Sequence, residues 1–408
     1  MRVIQITPIV GSGAVGRIVD QIYKGLIKNG DECKVVCGKI GNTFIPKKDI
    51  ILTEKEYKKY LYALYARIFD RDGFGGISDT KRIVKTIEEY QPDIIQMHGN
   101  YGYYINVRTL YKCIKKNNYP VVNTLHSCWD FTGHCCYFTD ANCSRWKTGC
   151  YDCPEKRSYP TSWVLDNSKK NYIEKKKLFT GIKKETIVVP SDWLAKKVQY
   201  SFLNVYPIKV IKNGIDLKAF ENKDGNLDKY GIDRKKIIIL GVAGQWTKRK
   251  GLLDFIELSK MVDGKYQIVI VGVTRKQKEE FPSNIIGITR TENIDELVTL
   301  YSISSVLFNP TYEDNYPTIN LESIACNTPV ITYKTGGSPE SVIKYNAGKI
   351  INKKDYTALL YYAKKYHDEK WKLSKSLRND LSEKRMVSEY IKLYNWIKDK
   401  GCEMDSCL

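Results

Sequence analysis

Val3-Ile4-Gln5-Ile6-Thr7, followed by Gly11-Ser12-Gly13 and Gly16 and then by Ile18, Ile22 and Leu26 at four-residue spacing, is the stretch that decides the fold. A short β-branched run reads as a strand, the glycines as a loop, and the four-residue spacing as one apolar face of a helix. Lys28-Asn29-Gly30 supplies a basic last turn and a glycine stop, after which residues 33–37 resume a strand.

The same unit recurs outward from that start. Ile83, Val84 and Ile87 mark a helix, Pro92 breaks it, and residues 93–98 read as a strand; a helix near 110–114 and a strand at 121–126 follow. Repeated βα units imply a doubly wound parallel sheet that binds ligands beyond the carboxyl ends of its strands. His98 and His126 stand at two such ends. From 127 to about 166 the alternation gives way to Cys, aromatic and Gly residues, an insertion on the strand-end side. The rhythm resumes at 187–189 and weakens over 202–220, where Pro207 and Asn213-Gly214 signal turns and a domain linker is expected. A second unit follows, with strands expected at 237–243, 267–271, 285–288, 306–308 and 330–333. The chain from 356 to 400 reads as helical, with Met386, Tyr390, Leu393 and Trp396 on one apolar face.

The expected fold class is therefore α/β with two Rossmann-like domains facing across a cleft. Residues 1–205 form the first domain, with the Cys-rich insertion at 127–166, and 206–375 form the second. Residues 376–408 form a C-terminal helix crossing back to the first. A length of 408 residues suits that division. No apolar run approaches a membrane span, and the N-terminus reads as a first strand rather than a leader, so a cytoplasmic protein is expected. Lys and Arg number 66 against 46 Asp and Glu, a net charge of +20, which favours anionic partners. Much of that excess is Lys spread along the chain, as in Lys55, Lys58 and Lys59, and reads as solvated surface.

Two strings carry chemistry. Gly244-Gln245-Trp246-Thr247-Lys248-Arg249-Lys250-Gly251 ends an expected strand and opens a helix, placing backbone N–H groups and three cations where a diphosphate would bind. Its spacing is not that of a P-loop. Glu313-Asp314-Asn315-Tyr316-Pro317-Thr318-Ile319-Asn320-Leu321-Glu322 puts carboxylates at the same strand-end face. Glu322 suits the vicinal hydroxyls of a ribose.

The Asp314-x7-Glu322 pair followed by Ala325-Cys326-Asn327-Thr328-Pro329-Val330-Ile331, the Lys250-Gly251 loop, Pro190-Ser191 and Asn213-Gly214-Ile215-Asp216 together resemble family 4 glycosyltransferases. The resemblance implies the GT-B fold and retaining, metal-independent transfer of a hexose-type sugar from a UDP- or GDP-sugar. The Cys-rich insertion and Glu313 to Thr318 resemble members that build capsule, O-antigen or exopolysaccharide units. The implied acceptor is a saccharide carried on undecaprenyl diphosphate, with peripheral contact at the inner membrane face. By the same resemblance Lys250 holds the diphosphate, Glu322 the ribose, and Asp314 with backbone amides in the stretch Asn315 to Thr318, which includes Tyr316 and Pro317, the donor sugar. Gly11 and Gly13 let the first loop approach phosphate and acceptor, and His126 holds a sugar hydroxyl. His126, Asp314 and Lys250 are the implied catalytic set. Gln245 stands where the family usually has Arg, so Arg249 or Lys248 is expected to supply a second cation. The nucleobase is expected near residues 287–291.

Cys150-x2-Cys153 has zinc-knuckle spacing, and Cys143 and Cys135 would complete a tetrahedral structural zinc site. Cys33, Cys37, Cys113 and Cys326 read as buried apolar residues, and Cys402 and Cys407 carry no assigned role. The rival reading is a zinc-containing nucleic-acid-binding protein. It lacks a recognition helix after the Cys pairs and leaves Asp314 and Glu322 unexplained, so no nucleic-acid partner is expected. A sugar-phosphate synthase or hydrolase on the same fold is the nearer alternative.

Overall fold

In the computed structural model, which describes residues 1–54 and 56–400, the predicted first strand is β1 (Arg2–Val10). It lies inside a sheet completed by β2 (Glu32–Ile40), β3 (Ile50–Leu52), β4 (Ile94–Met97), β5 (Val121–Thr124), β6 (Glu185–Val189) and β7 (Ile208–Val210). The order is β3-β2-β1-β4-β5-β6-β7, and every neighbouring pair is parallel. Helices cover both faces, so β4, β5 and β6 are buried along their whole length, as doubly wound strands require.

A second sheet comprises β8 (Ile237–Val242), β9 (Tyr266–Val271), β10 (Ile285–Ile288), β11 (Val306–Asn309), β12 (Val330–Tyr333) and β13 (Gly348–Ile351), in the order β10-β9-β8-β11-β12-β13, again all parallel. In both sheets the direction of winding reverses beside the first strand, between β1 and β4 and between β8 and β11. Ligands bind beyond the strand ends at such a reversal. Contacts divide the chain into two units, Met1–Lys212 with the chain from Met386 onward, and Asn213–Arg385.

The expected strands all form. β3, β7 and β13 were not anticipated, being short and at or beside sheet edges, where a clear apolar alternation is not needed. The helix Glu56–Phe69 was also unforeseen, because its apolar residues do not face the core. In the C-terminal helix Glu383–Lys400 the buried stripe is Met386, Tyr390, Tyr394 and Ile397, whereas Trp396 is exposed. Tyr394 displaces Leu393 from the expected face because its hydroxyl donates to Gln96 Oε1 at 2.8 Å on β4. Gly25 admits this helix closely: a Cβ there would sit 2.1 Å from Val387 Cγ1. Cys33, Cys37, Cys113 and Cys326 are buried, as their apolar surroundings imply, while Cys402, Cys407 and Lys55 lie outside the described residues.

Candidate active site

The loop after β8 is anchored by Trp246, buried, whose indole N–H donates to the Val271 carbonyl at 2.8 Å. Residues Lys248–Lys250 make one tight turn, and Gly251 begins the helix Leu252–Ser259 at φ 77°. Only glycine fits there, since a Cβ would lie 2.4 Å from the Pro310 carbonyl oxygen. That close approach brings the cationic turn against the loop leaving β11.

The two loops then interlock. Tyr312 N–H donates to the Arg249 carbonyl at 2.8 Å, and the Arg249 guanidinium donates to the Glu313 carbonyl. Lys250 Nζ forms a part-buried ion pair with Asp314, and Arg249 lies 3.8 Å from the same carboxylate. Burial would push the Asp314 carboxyl up, but the charges of Lys250 and Arg249 outweigh it and hold it below the usual range. Of the two expected second cations, Arg249 faces Asp314 while Lys248 is exposed, as is Gln245.

Behind the loop, Asn309, Asn320, Thr332 and Ser338 form a buried network: Asn309 Nδ2 donates to Asn320 Oδ1 at 2.8 Å, and Asn320 Nδ2 to the Ser338 carbonyl at 3.1 Å. Gly337 N–H donates to the Asp314 carbonyl at 2.8 Å, and a Cβ at Gly336 would stand 2.2 Å from that oxygen. The Gly336-Gly337 pair was missed in the sequence, although two glycines directly after an expected strand were the available signal. Asn213 Nδ2 reaches the Tyr316 carbonyl at 3.1 Å. Asn315, Tyr316 and Pro317 are buried in this loop, and Thr318 opens the helix Thr318–Ala325. On that helix Glu322 is buried and accepts from Tyr301 at 3.0 Å. A carboxylate can accept several hydrogen bonds, which suits its chemistry to hydroxyl ligands.

The remaining candidates lie in the first unit. Gly11 and Gly13 follow β1 at φ 72° and 66°. A Cβ at Gly11 would meet Asn42 at 2.6 Å, so that glycine is demanded by the protein's own neighbouring loop. Gly13 faces open space within 4 Å. His98 and His126 stack at the ends of β4 and β5, with centroids 5.5 Å apart. His98 Nε2 lies 3.1 Å from Gln5 Oε1, and His98 Nδ1 3.2 Å from His126 Nε2. Gln5 Nε2 donates to the Val19 carbonyl at 3.2 Å, which turns the amide oxygen toward His98. That oxygen can only accept, so His98 carries its proton on Nε2 and accepts at Nδ1. His126 is therefore the Nε2–H tautomer, with an accepting Nδ1. Burial lowers the His126 pKa to about 4, and burial followed by the His126 charge drives His98 well below its ordinary value.

Cys135, Cys143, Cys150 and Cys153, the expected zinc set, lie near one another in the insertion, but the zinc site itself is not shown. Among the described residues no group of three or more His, Cys, Asp or Glu is arranged to hold a metal ion. Cys135 and Cys153 instead share a hydrogen bond that holds the Cys153 thiol below its ordinary value, and Cys150 Sγ accepts from Gly133 N–H at 3.1 Å. Cys143 packs half-buried at the edge of the same core. The insertion also has a packed interior of its own. It is held by Trp146 against Phe138 and Phe131 at ring separations of 4.9 and 5.4 Å, and by buried Lys175, which donates to the Trp129 and Thr132 carbonyls.

Two doubly wound parallel sheets, one carrying a cationic turn and a paired carboxylate at its winding reversal, define the GT-B class. The profile described as Glycosyltransferase Family 4 matches residues 15–219, that of Glycosyl transferases group 1 matches residues 222–385, and the chain belongs to the family 4 glycosyltransferases. It is 26% identical over 355 residues to WcaC of Escherichia coli K12, named for colanic acid biosynthesis, covering 80% of this chain and 82% of that one. It is 25% identical over 209 residues to the N,N'-diacetylbacillosaminyl-diphospho-undecaprenol alpha-1,3-N-acetylgalactosaminyltransferase of Campylobacter jejuni, 46% of this chain and 54% of the relative. The structure of HepE from Anabaena in complex with UDP-glucose shares the fold with a TM-score of 0.64 at 11% identity, covering 97% of this chain and all of that one. Family membership sets aside the nucleic-acid-binding alternative.

Proposed function

We propose that this glycosyltransferase moves a hexose-type sugar, with retention, from a UDP- or GDP-sugar to a saccharide acceptor on undecaprenyl diphosphate, in assembly of a bacterial surface polysaccharide. The Lys250–Asp314 pair beside Arg249, at the winding reversal of the second unit, carries this reading. The relatives named for colanic acid and for a diphospho-undecaprenol acceptor, and the UDP-glucose complex of HepE, point the same way. The setting is the cytoplasmic face of the membrane; among the described residues no helix is long and apolar enough to cross one.

The chemistry follows from charge. As the bond between the anomeric carbon and the β-phosphate breaks, the sugar gains oxocarbenium character and the departing diphosphate gains negative charge. Lys250 and Arg249 stabilise that charge, so the protein supplies by side chains what a divalent ion would otherwise supply. An incoming diphosphate competes with Asp314 for Lys250, and the freed carboxylate turns to the donor sugar with the backbone N–H groups of Asn315, Tyr316 and Thr318. Glu322, set by Tyr301, takes the ribose hydroxyls. Gly13 leaves room for the donor phosphates, and His126 Nδ1 accepts from a sugar hydroxyl.

Two measurements test this. Among UDP-, GDP-, ADP- and CMP-sugars, a UDP- or GDP-sugar should raise the melting temperature, with a stabilisation of about 2.7 kcal/mol at a hundredfold excess over Kd. Lys250→Ala should lower turnover by roughly 10²–10³ with the fold intact. Donor cleavage at equal rate with and without a saccharide acceptor would instead make the protein a hydrolase.

A further inference from the structure

Three tyrosine rings meet beyond the winding reversal of the first sheet, between β1 and β4. The loop after β4 carries Tyr101 and Tyr103, and the Cys-rich insertion brings Tyr159 to them. The Tyr159 ring lies 6.1 Å from that of Tyr101 and 6.3 Å from that of Tyr103, edge-on to both. A Cβ on Gly102 would stand 3.1 Å from Pro8 Cβ and 3.7 Å from the Tyr159 hydroxyl, so the cluster sits against the carboxyl-terminal part of β1. That is where a doubly wound sheet takes its ligands. The Tyr101 hydroxyl is hydrogen-bonded to the side chain of Ser127, which follows His126 in the chain.

The loop is held in a conformation that core packing does not require. Tyr103 has φ 64°, a left-handed value that is costly for a bulky side chain and persists only where its surroundings impose it. Buried Asp72 imposes it: its carboxylate accepts from the N–H groups of Gly102 at 3.1 Å and Tyr103 at 3.0 Å. The rings themselves run from backed to open. Tyr101 rests on Trp129 at 5.7 Å, Tyr103 is half-buried with the Arg67 guanidinium 5.8 Å from its ring centre, and Tyr159 is 49% exposed. Aromatic residues that serve a core bury all their rings, whereas this set leaves apolar ring surface for a ligand.

From this juxtaposition we propose that Tyr101, Tyr103 and Tyr159 form the platform on which the acceptor saccharide lies, with Tyr159 as its open end. A pyranose presents C–H groups on its faces and hydroxyls around its edge. The C–H groups pack on the tyrosine rings, and the phenol hydroxyls and the Arg67 guanidinium bond the sugar hydroxyls. The proposal rests on the reading of a saccharide acceptor and deepens it, by assigning recognition of that sugar to particular residues. It also gives the Cys-rich insertion a part in specificity, since the insertion carries Tyr159. A nucleobase is the other ligand that stacks on such rings, but the cations placed for a nucleotide's diphosphate, Lys250 and Arg249, belong to the second unit.

Saturation-transfer NMR of the full chain with the methyl glycosides of glucose, galactose, mannose, N-acetylglucosamine and N-acetylgalactosamine tests it. At least one glycoside should bind the wild type, with the strongest transfer to the ring protons of one sugar face. Tyr159→Ala should weaken that binding by about tenfold, the worth of the apolar area one ring covers, while Tyr159→Phe, which keeps the ring, should retain most of it. The melting temperature of Tyr159→Ala and its stabilisation by donor should match the wild type, since this side chain is exposed. No binding by any of the glycosides, equal affinity of Tyr159→Ala and wild type, or a loss in Tyr159→Ala confined to UDP or GDP would each overturn the proposal. If glycoside binding fails while donor stabilisation persists, the platform falls and the transferase reading stands. Glycoside binding without donor stabilisation sinks the donor assignment alone.

Discussion

The orientation of one amide, Gln5, propagates through His98 to His126 and decides which nitrogen of His126 accepts. Both histidines were visible as residues at strand ends, but only the fold shows that β4 and β5 are neighbours and that β1 supplies Gln5 beside them. His98 is on this argument a positioning residue. His98→Ala should lower kcat by up to about 10²-fold through misplacement of His126, while the affinity for free UDP or GDP, which the proposed donor site assigns to the second unit, stays unchanged. Steady-state kinetics alongside nucleotide titration checks the split, and an equal loss in both would mean the substitution merely unsettled the fold. At Gly11 the residue was legible and its reason was not: it gives way to Asn42, a contact 31 positions along the chain.

Whole elements depend on points where two backbones nearly touch. Gly251 combines a left-handed φ with its approach to Pro310, so Gly251→Ala should destabilise the second unit by about 1–3 kcal/mol in urea unfolding and lower activity by moving Lys250. Retained stability and activity would show that the turn adapts. In the insertion, Cys spacing pointed to metal, whereas the packing that forms is aromatic. The sequence signal was ambiguous because Cys serves equally as ligand and as small buried apolar residue. Trp146→Ala should therefore cost about 3–5 kcal/mol, and a chelator should leave the wild-type melting temperature unchanged. Stoichiometric zinc lost together with stability on chelation would bear out the metal reading instead. The helix Glu56–Phe69 was illegible for a related reason: its apolar period is regular, yet no local pattern says which side the core lies on.

For the molecule as a whole, buried histidine and high net charge act together as pH falls. His126 titrates near 6.5 when unfolded and at about 4 in the fold, so the unfolded chain binds the proton first and stability is lost as pH drops through that interval. Rising positive charge on a chain already at +20 adds self-repulsion. Buried Asp20, Glu54, Asp130 and Glu185, whose carboxyls burial pushes up, act in the opposite sense over this interval, so the histidine is isolated by comparison. The melting temperature of His126→Gln relative to the wild type should improve between pH 6.5 and 4, and parallel pH profiles would remove the histidine from the account.

The alternation of βα units, the two parallel sheets and the strings around Lys250 and Glu322 were all determined by sequence, because apolar period, glycine stops and motif spacing are local properties. The pairing of Lys250 with Asp314 and the choice of Arg249 over Lys248 were decided only in three dimensions. So were the tautomer of His126, the packing of the cysteines and the outward face of residues 57–69. Each depends on which distant segment lies alongside, and strand order, not sequence order, sets that.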